Sequence, residues 1–188
     1  MKIYFLRHGK RGHGKEIDIL LPEGIGQAKK SAKILKNFKI DKIISGTSKR
    51  ARDTAKQVTD ELHIKIEYTP KVNEKEMGIL EGKNAEEWRR AVKKSGLNEG
   101  DFRPKGGENW EDFNKRVKDF YERLKKEKVD SILIISHSGF IRQMIGLFLK
   151  KTNEELKDIN IDFGSISFIK VDEIFNIQDY KINDIYHL

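Results

Sequence analysis

The chain has 188 residues, 37% of them hydrophobic, enough for one sizeable core, so a single domain over residues 1–188 is expected. It has no cysteine, which excludes disulfides, thiolate-bound zinc and a cysteine nucleophile, and no run nears the roughly 18 apolar residues of a membrane span. The formal net charge of +8 admits nucleic acid or small anions as partners, but lysines interleaved with glutamates read as solvated helix faces, and no nucleic-acid partner is expected.

Residues 2–6 form a short apolar run of strand formers. They run straight into charged residues with no small-residue cleavage site, so no signal peptide is expected and the location expected is cytoplasmic. A loop with Gly9, Gly12 and Gly14 follows, and Pro22-Glu23-Gly24 opens a helix with Ile25, Ala28, Ala32 and Leu35 on its apolar stripe. Residues 41–45 read as a second strand. The next helix carries Ala51, Ala55, Val58 and Leu62, with Thr47 or Ser48 as its cap. A third strand is expected at 64–68, a loop at 69–84, a short helix at 85–95 with Trp88 and Val92, and a second loop to Gly107. Trp110, Phe113, Val117, Phe120 and Leu124 then mark the clearest amphipathic helix. Residues 131–135 are uniformly apolar, as in a strand covered on both faces, and precede Ser136-His137-Ser138-Gly139 and a helix over about 140–149. The tail alternates over 163–171 and 174–186, a late strand and an edge hairpin. This order predicts an α/β fold with a mostly parallel sheet between two helical layers.

Two predicted strands end in a histidine beside a glycine, at Leu6-Arg7-His8-Gly9 and at Ser136-His137-Ser138-Gly139. Sites in open α/β sheets form beyond the carboxyl ends of the strands, so adjacent strands would bring both imidazoles into one crevice. Arg7, Arg50 and Arg52 add guanidinium forks suited to phosphate. Together these groups point to covalent catalysis at phosphorus, in which a neutral histidine attacks and arginines stabilise the transferring group. A carboxyl group must protonate the leaving alkoxide, and spacing alone does not choose it among the 30 acids. His8, His13 and His137 with a carboxylate could in principle hold a metal, but no HExxH or nucleotide-binding glycine motif is present, and neither metal nor cofactor is expected.

Five segments in order carry a resemblance: Arg7-His8-Gly9; Ser45 to Ala55, with Arg50-Ala51 before Thr54-Ala55; Val72 to Gly82; Gly106-Gly107-Glu108 leading to Arg116; and Ser136 to Arg142. Together they resemble the histidine phosphatase superfamily, the phosphoglycerate mutase-like enzymes. The resemblance implies a phosphoglycerate mutase-like α/β/α sandwich and a metal-independent phosphomonoesterase working through a phosphohistidine. By the same resemblance His8 is the nucleophile, Arg7, Arg50 and His137 surround the phosphate, and Glu74 is the proton donor with Glu76 as the fallback. Glu108 stands behind the site or at its mouth, and Ser138 offers a further contact. Relatives commonly continue with Thr and Asn where this chain has Arg11 and Gly14, so Arg11 enters as a charged phosphate contact. The proline before the glycine pair is displaced to Pro104, and the serine after its glutamate is Asn109.

Arg89, Arg90, Lys93, Lys94, Arg103 and Lys105 could clamp an anionic substrate or form a solvated face. A small anionic phosphomonoester is the expected substrate, with a monomer or a homodimer both open. The alternatives are mutase-type phosphoryl transfer and a phosphate-binding protein without turnover.

Overall fold

The computed structural model describes all 188 residues. Six strands form one sheet: β1 Lys2–Arg7, β2 Lys42–Ser45, β3 Ile66–Tyr68, β4 Ser131–Ser136, β5 Ile166–Val171 and β6 Ile177–Asp184. Five helices flank it: α1 Pro22–Leu35, α2 Lys49–Leu62, α3 Ala85–Ser95, α4 Trp110–Leu124 and α5 Ser138–Leu149. The strand order is β3-β2-β4-β1-β5-β6. The four strands from β3 to β1 run parallel, while β5 and β6 are antiparallel at the far edge. The two alternating tail segments are therefore a single hairpin that extends the sheet past β1.

Alternation along β1 and β4 sorts the core into two layers, because successive strand side chains face opposite sides. Ile3, Phe5, Ile132 and Ile134 pack with Phe113, Val117 and Phe120 of α4 and with Phe140, Ile141 and Met144 of α5. Tyr4, Leu6, Leu133 and Ile135 pack with Ala32 and Leu35 of α1 and with Ala55 and Val58 of α2. This is the expected α/β/α arrangement, and the uniformly apolar β4 is buried along its whole length. No helix is long and apolar enough to cross a membrane.

Two expected core positions lie elsewhere. Ile25 is turned outward because the first turn of α1 packs backbone against backbone: a Cβ on Gly9 would come 2.1 Å from the carbonyl oxygen of Gly24. Only glycine permits that approach. Trp110 begins α4 and is partly exposed, while the stripe behind it is buried as expected. Helix α3 forms but buries no residue, so its amphipathic pattern does not mark a core face.

Asn109, where relatives carry serine, still caps α4. Its Oδ1 accepts from the Asp112 amide at 2.9 Å, and the Asp112 carboxylate accepts from the Asn109 amide at 3.2 Å. This reciprocal box satisfies two amides that the helix start leaves free. Of the two residues proposed to cap α2, Ser48 does so, accepting from the Ala51 amide. Phe120, fully buried against Phe140, is a keystone of the α4–α5 layer. Phe120→Ala should destabilise the protein by about 3–5 kcal/mol. Chemical denaturation at equilibrium checks this, and a loss below about 1 kcal/mol would contradict the packing described.

Candidate active site

The two histidines meet because β1 and β4 are parallel neighbours in matched register. Arg7 stands opposite Ser136, and the His8 amide donates to the Ser136 carbonyl at 2.9 Å. One residue beyond each strand, the rings of His8 and His137 lie with centroids 4.9 Å apart, edge to face. Both are almost wholly buried.

Their hydrogen bonds fix opposite tautomers. Nδ1 of His8 lies 2.8 Å from the Gly9 carbonyl oxygen, which can only accept, so Nδ1 carries the proton and the Nε2 lone pair is free. Nδ1 of His137 instead accepts from Nε of Arg50 at 3.3 Å, because a guanidinium can only donate. The proton of His137 is then on Nε2, which faces Ser48 Oγ at 3.3 Å. Burial pushes both imidazoles well below the ordinary 6.5. The guanidiniums of Arg50, Arg7 and Arg11 push the same way, and the Gly9 hydrogen bond opposes them at His8. Both rings are therefore neutral at pH 7.

Arg50 is held from two sides. Its Nη1 donates to Asp18 Oδ1 at 2.9 Å, while Asp18 also accepts from the amides of Lys49 and Arg50 at the start of α2. Thr54, one turn further along α2, accepts from the Gly9 amide and donates to the Arg50 carbonyl. Arg7 lies with its guanidinium carbon 3.6 Å from the centre of the Phe163 ring and donates to the Ile161 carbonyl. Burial lowers it to about 10, so it stays charged at pH 7. Its Nε is buried without a partner.

Glu74 reaches this group from the 69–84 loop. Its Oε2 accepts from the Gly139 amide at 3.0 Å, and Oε1 accepts from the Lys75 amide at 3.1 Å. A Cβ on Gly139 would fall 2.1 Å from Glu74 Oε1, so the glycine makes room for the carboxylate. Behind the loop, Arg116 grips Glu108 with two hydrogen bonds of 2.7 Å and donates to the carbonyls of Lys71, Asn73 and Glu74. Burial alone would raise the Glu108 carboxyl, but the Arg116 and Glu76 hydrogen bonds outweigh it and hold it low. Glu108 and Arg116 thus fix the backbone that presents Glu74.

A cleft of about 230 Å³ opens onto this constellation, lined by Ser48, Arg50, Glu74, Lys75, Glu76 and His137, with Asp18 and Glu81 also on its walls. Glu76 lines it as well as Glu74, but its side chain is exposed and makes no hydrogen bond; only its backbone is tied, its amide donating to the Glu108 carboxylate and its carbonyl accepting from the Glu108 amide. Arg11 is half-buried and donates to the neighbouring Gly12 carbonyl, near Arg50, Glu81 and Glu74. Ser138 is the first residue of α5, and its hydroxyl makes no hydrogen bond. Of the six basic residues proposed as a clamp, none lines the cleft; Arg90 pairs with Glu86 and Arg103 with Asp112. Arg89, Arg90, Lys93 and Lys94 face solvent on α3, which buries nothing, and Arg103 and Lys105 are exposed in the loop after it. No three His, Asp or Glu side chains converge as metal ligands would. Asp18, Ser48, Phe163 and Arg116 complete the site. Of these Arg116 has a sequence signal in its place after Gly-Gly-Glu, and Ser48 has one only as a helix cap.

Two predictions follow from this geometry. As pH falls below about 6.5, the unfolded histidines take up protons that buried His8 and His137 refuse, so stability should decline from that pH toward their lowered native values. Denaturation at stepped pH checks this, and the acid slope should be shallower in His137→Ala. Gly139→Ala should fold, since alanine favours helix, yet lose roughly 100-fold in turnover by displacing Glu74. An unchanged rate would show that the carboxylate does not need this seat.

Comparison with known proteins agrees with this architecture. A broad-specificity phosphatase of Saccharomyces cerevisiae is 29% identical over 185 residues, covering 90% of this chain and 79% of its own length. An adenosylcobalamin/alpha-ribazole phosphatase of Salmonella typhimurium is 26% identical over 200 residues, covering 93% of each. Among solved structures, the alpha-ribazole phosphatase of Shigella flexneri superposes with a TM-score of 0.83 at 23% identity, over 98% of this chain and 96% of that one, which speaks to the fold. The family description "Histidine phosphatase superfamily (branch 1)" matches residues 3–177, and the chain belongs to that superfamily.

Proposed function

We propose that this chain is a phosphomonoesterase that works through a phosphohistidine on His8, within one domain spanning the chain. The observation that carries this reading is the His8 tautomer: a neutral ring with Nδ1–H tied to the Gly9 carbonyl leaves Nε2 as the nucleophile. Arg7, Arg50 and the Nε2–H of His137 supply donors for the phosphate oxygens, with Arg11 adding positive field. The buried, unpartnered Nε of Arg7 is a donor that an incoming anion would satisfy.

In the first step Nε2 of His8 forms a bond to phosphorus as the ester P–O bond breaks, and the carboxyl group of Glu74 gives its proton to the departing alkoxide. In the second step the Glu74 carboxylate takes a proton from water as that water attacks phosphorus. The P–N bond breaks, and free phosphate and neutral His8 result. Glu74 is favoured over Glu76 because both its oxygens are positioned by backbone amides, whereas the Glu76 side chain is unrestrained. Glu108 and Arg116 act through the loop rather than on the substrate. That the matched relatives are phosphatases supports hydrolysis over isomerisation.

The test is turnover of a phosphomonoester panel with a chelator present, together with trapping of acid-labile labelled protein. Wild type should release phosphate and retain label on His8. His8→Ala should lose both, by roughly 10³-fold or more in rate, and Glu74→Gln should lose roughly 10²- to 10⁴-fold. Normal turnover by His8→Ala would overturn the mechanism. Isomerisation without phosphate release would make the protein a mutase, and tight phosphate binding without turnover would make it a binding protein.

A further inference from the structure

Lys75 is the one cation on the cleft wall without a partner. It is 8% exposed, yet its ammonium makes no hydrogen bond and no ion pair. Arg50, the other cation there, is engaged by Asp18 and His137. The stem of Lys75 is buried, but its Nζ is not among the buried polar atoms left without a partner, so the ammonium meets the water of the cleft and its donors are open to an anion that displaces that water.

What holds the ammonium in place consumes none of its donors. Nζ lies 5.1 Å from the centre of the Trp88 ring and 5.7 Å from that of Trp110, both within the range of cation–π attraction. Trp88 is fixed in turn by an Nε1 hydrogen bond of 2.9 Å to Glu99 and by edge-to-face contact with Phe102. The two rings attract the charge and leave three N–H groups available. The carboxylates of Glu74, Glu99, Glu108 and Asp112 act on it through space without closing to an ion pair.

Lys75 directly follows the proposed proton donor in the chain and shares a wall with it. The cleft of about 230 Å³ has room for roughly eight water volumes, enough for a phosphoryl group and a short alcohol moiety. A group on that alcohol would therefore lie within reach of the same wall. We infer that Lys75 is a specificity-determining residue whose ammonium takes a second anionic group, a carboxylate or a second phosphate, carried by the leaving alcohol of the substrate. This rests on the phosphatase reading above. It moves substrate anion recognition from the basic residues between Arg89 and Lys105, none of which lines the cleft, to one lysine on its wall.

The test compares matched substrates in wild type and Lys75→Met, a change that keeps the apolar stem between the tryptophans. One pair is 3-phosphoglycerate and glycerol 3-phosphate, which differ by the carboxylate. The other is propane-1,3-diol bisphosphate and its monophosphate, which differ by the second phosphate. Wild type should prefer the doubly anionic member of at least one pair in kcat/KM, and the pair that shows it identifies the group. Lys75→Met should lower that preference roughly 10- to 100-fold, the range for one charge-assisted hydrogen bond. Its Tm should change little, because the ammonium makes no hydrogen bond or ion pair to lose and methionine keeps the apolar stem. A wild type that turns over both members of each pair equally would overturn the inference and leave the phosphatase reading intact. So would a preference that survives in the variant. A lower Tm with equal losses on all four substrates would reduce Lys75 to a pin between α3 and α4. Failure of the wild type to hydrolyse any of the four would remove the phosphatase reading, and this inference with it.

Discussion

The parallel pairing of β1 with β4 is the constraint on which the rest of the site depends. Their register sets Arg7 opposite Ser136, so the chain leaves both strands at the same level and the next residue of each is a histidine. Neither ring could be placed there by local sequence alone, since 128 intervening residues separate His8 from His137. What brings them together is the burial of β4 on both faces, which leaves it only an interior place in the sheet. The same apolar strands that stabilise the fold thus aim the chemistry, and the hairpin β5–β6 adds the wall that carries Phe163 against Arg7 and His8.

Burial then determines the charge state. Two imidazoles packed against each other among three guanidiniums cannot hold a proton cheaply, and desolvation and like charge act in one direction. A nucleophilic nitrogen needs a lone pair, so an environment hostile to imidazolium suits the proposed step. The guanidiniums remain charged in the same surroundings because arginine does not give up its proton at neutral pH. One buried pocket therefore keeps neutral imidazoles and permanent cations side by side, the combination that the proposed attack on a phosphate dianion requires.

Much of this was legible before any coordinates. The five-strand-former run, the apolar β4 and the stripe of Phe113, Val117, Phe120 and Leu124 each follow from periodicity, and the ordered motifs identified His8, His137, Arg7, Arg50 and Glu74 together. The groups that orient them were not legible. Asp18 reaches Arg50 from a loop with no spacing rule, Ser48 serves both as helix cap and as partner of His137, and Phe163 sits in the turn before β5, where its alternation read as strand. Helix α3 was found, but its role was not. An amphipathic pattern says that a helix has two faces and does not say that either one meets a core, and here the basic face meets only solvent.

Glycine use shows how little freedom the catalytic loops have. Gly9 lets α1 lie directly on the loop after β1, and Gly139 lets Glu74 enter the first turn of α5. At each place a methyl group would overlap an oxygen atom, so these are steric requirements set by the neighbour and not by the backbone angle of the glycine. A carboxylate seated on the amide of a helix start would ordinarily be a cap. Here Glu74 is delivered to that seat from 65 residues away, by a loop that Arg116 stitches to α4 through three carbonyls and Glu108. The position of the proposed proton donor is thus set by α4 and α5 jointly, and the packing of those two helices is part of how the site is built.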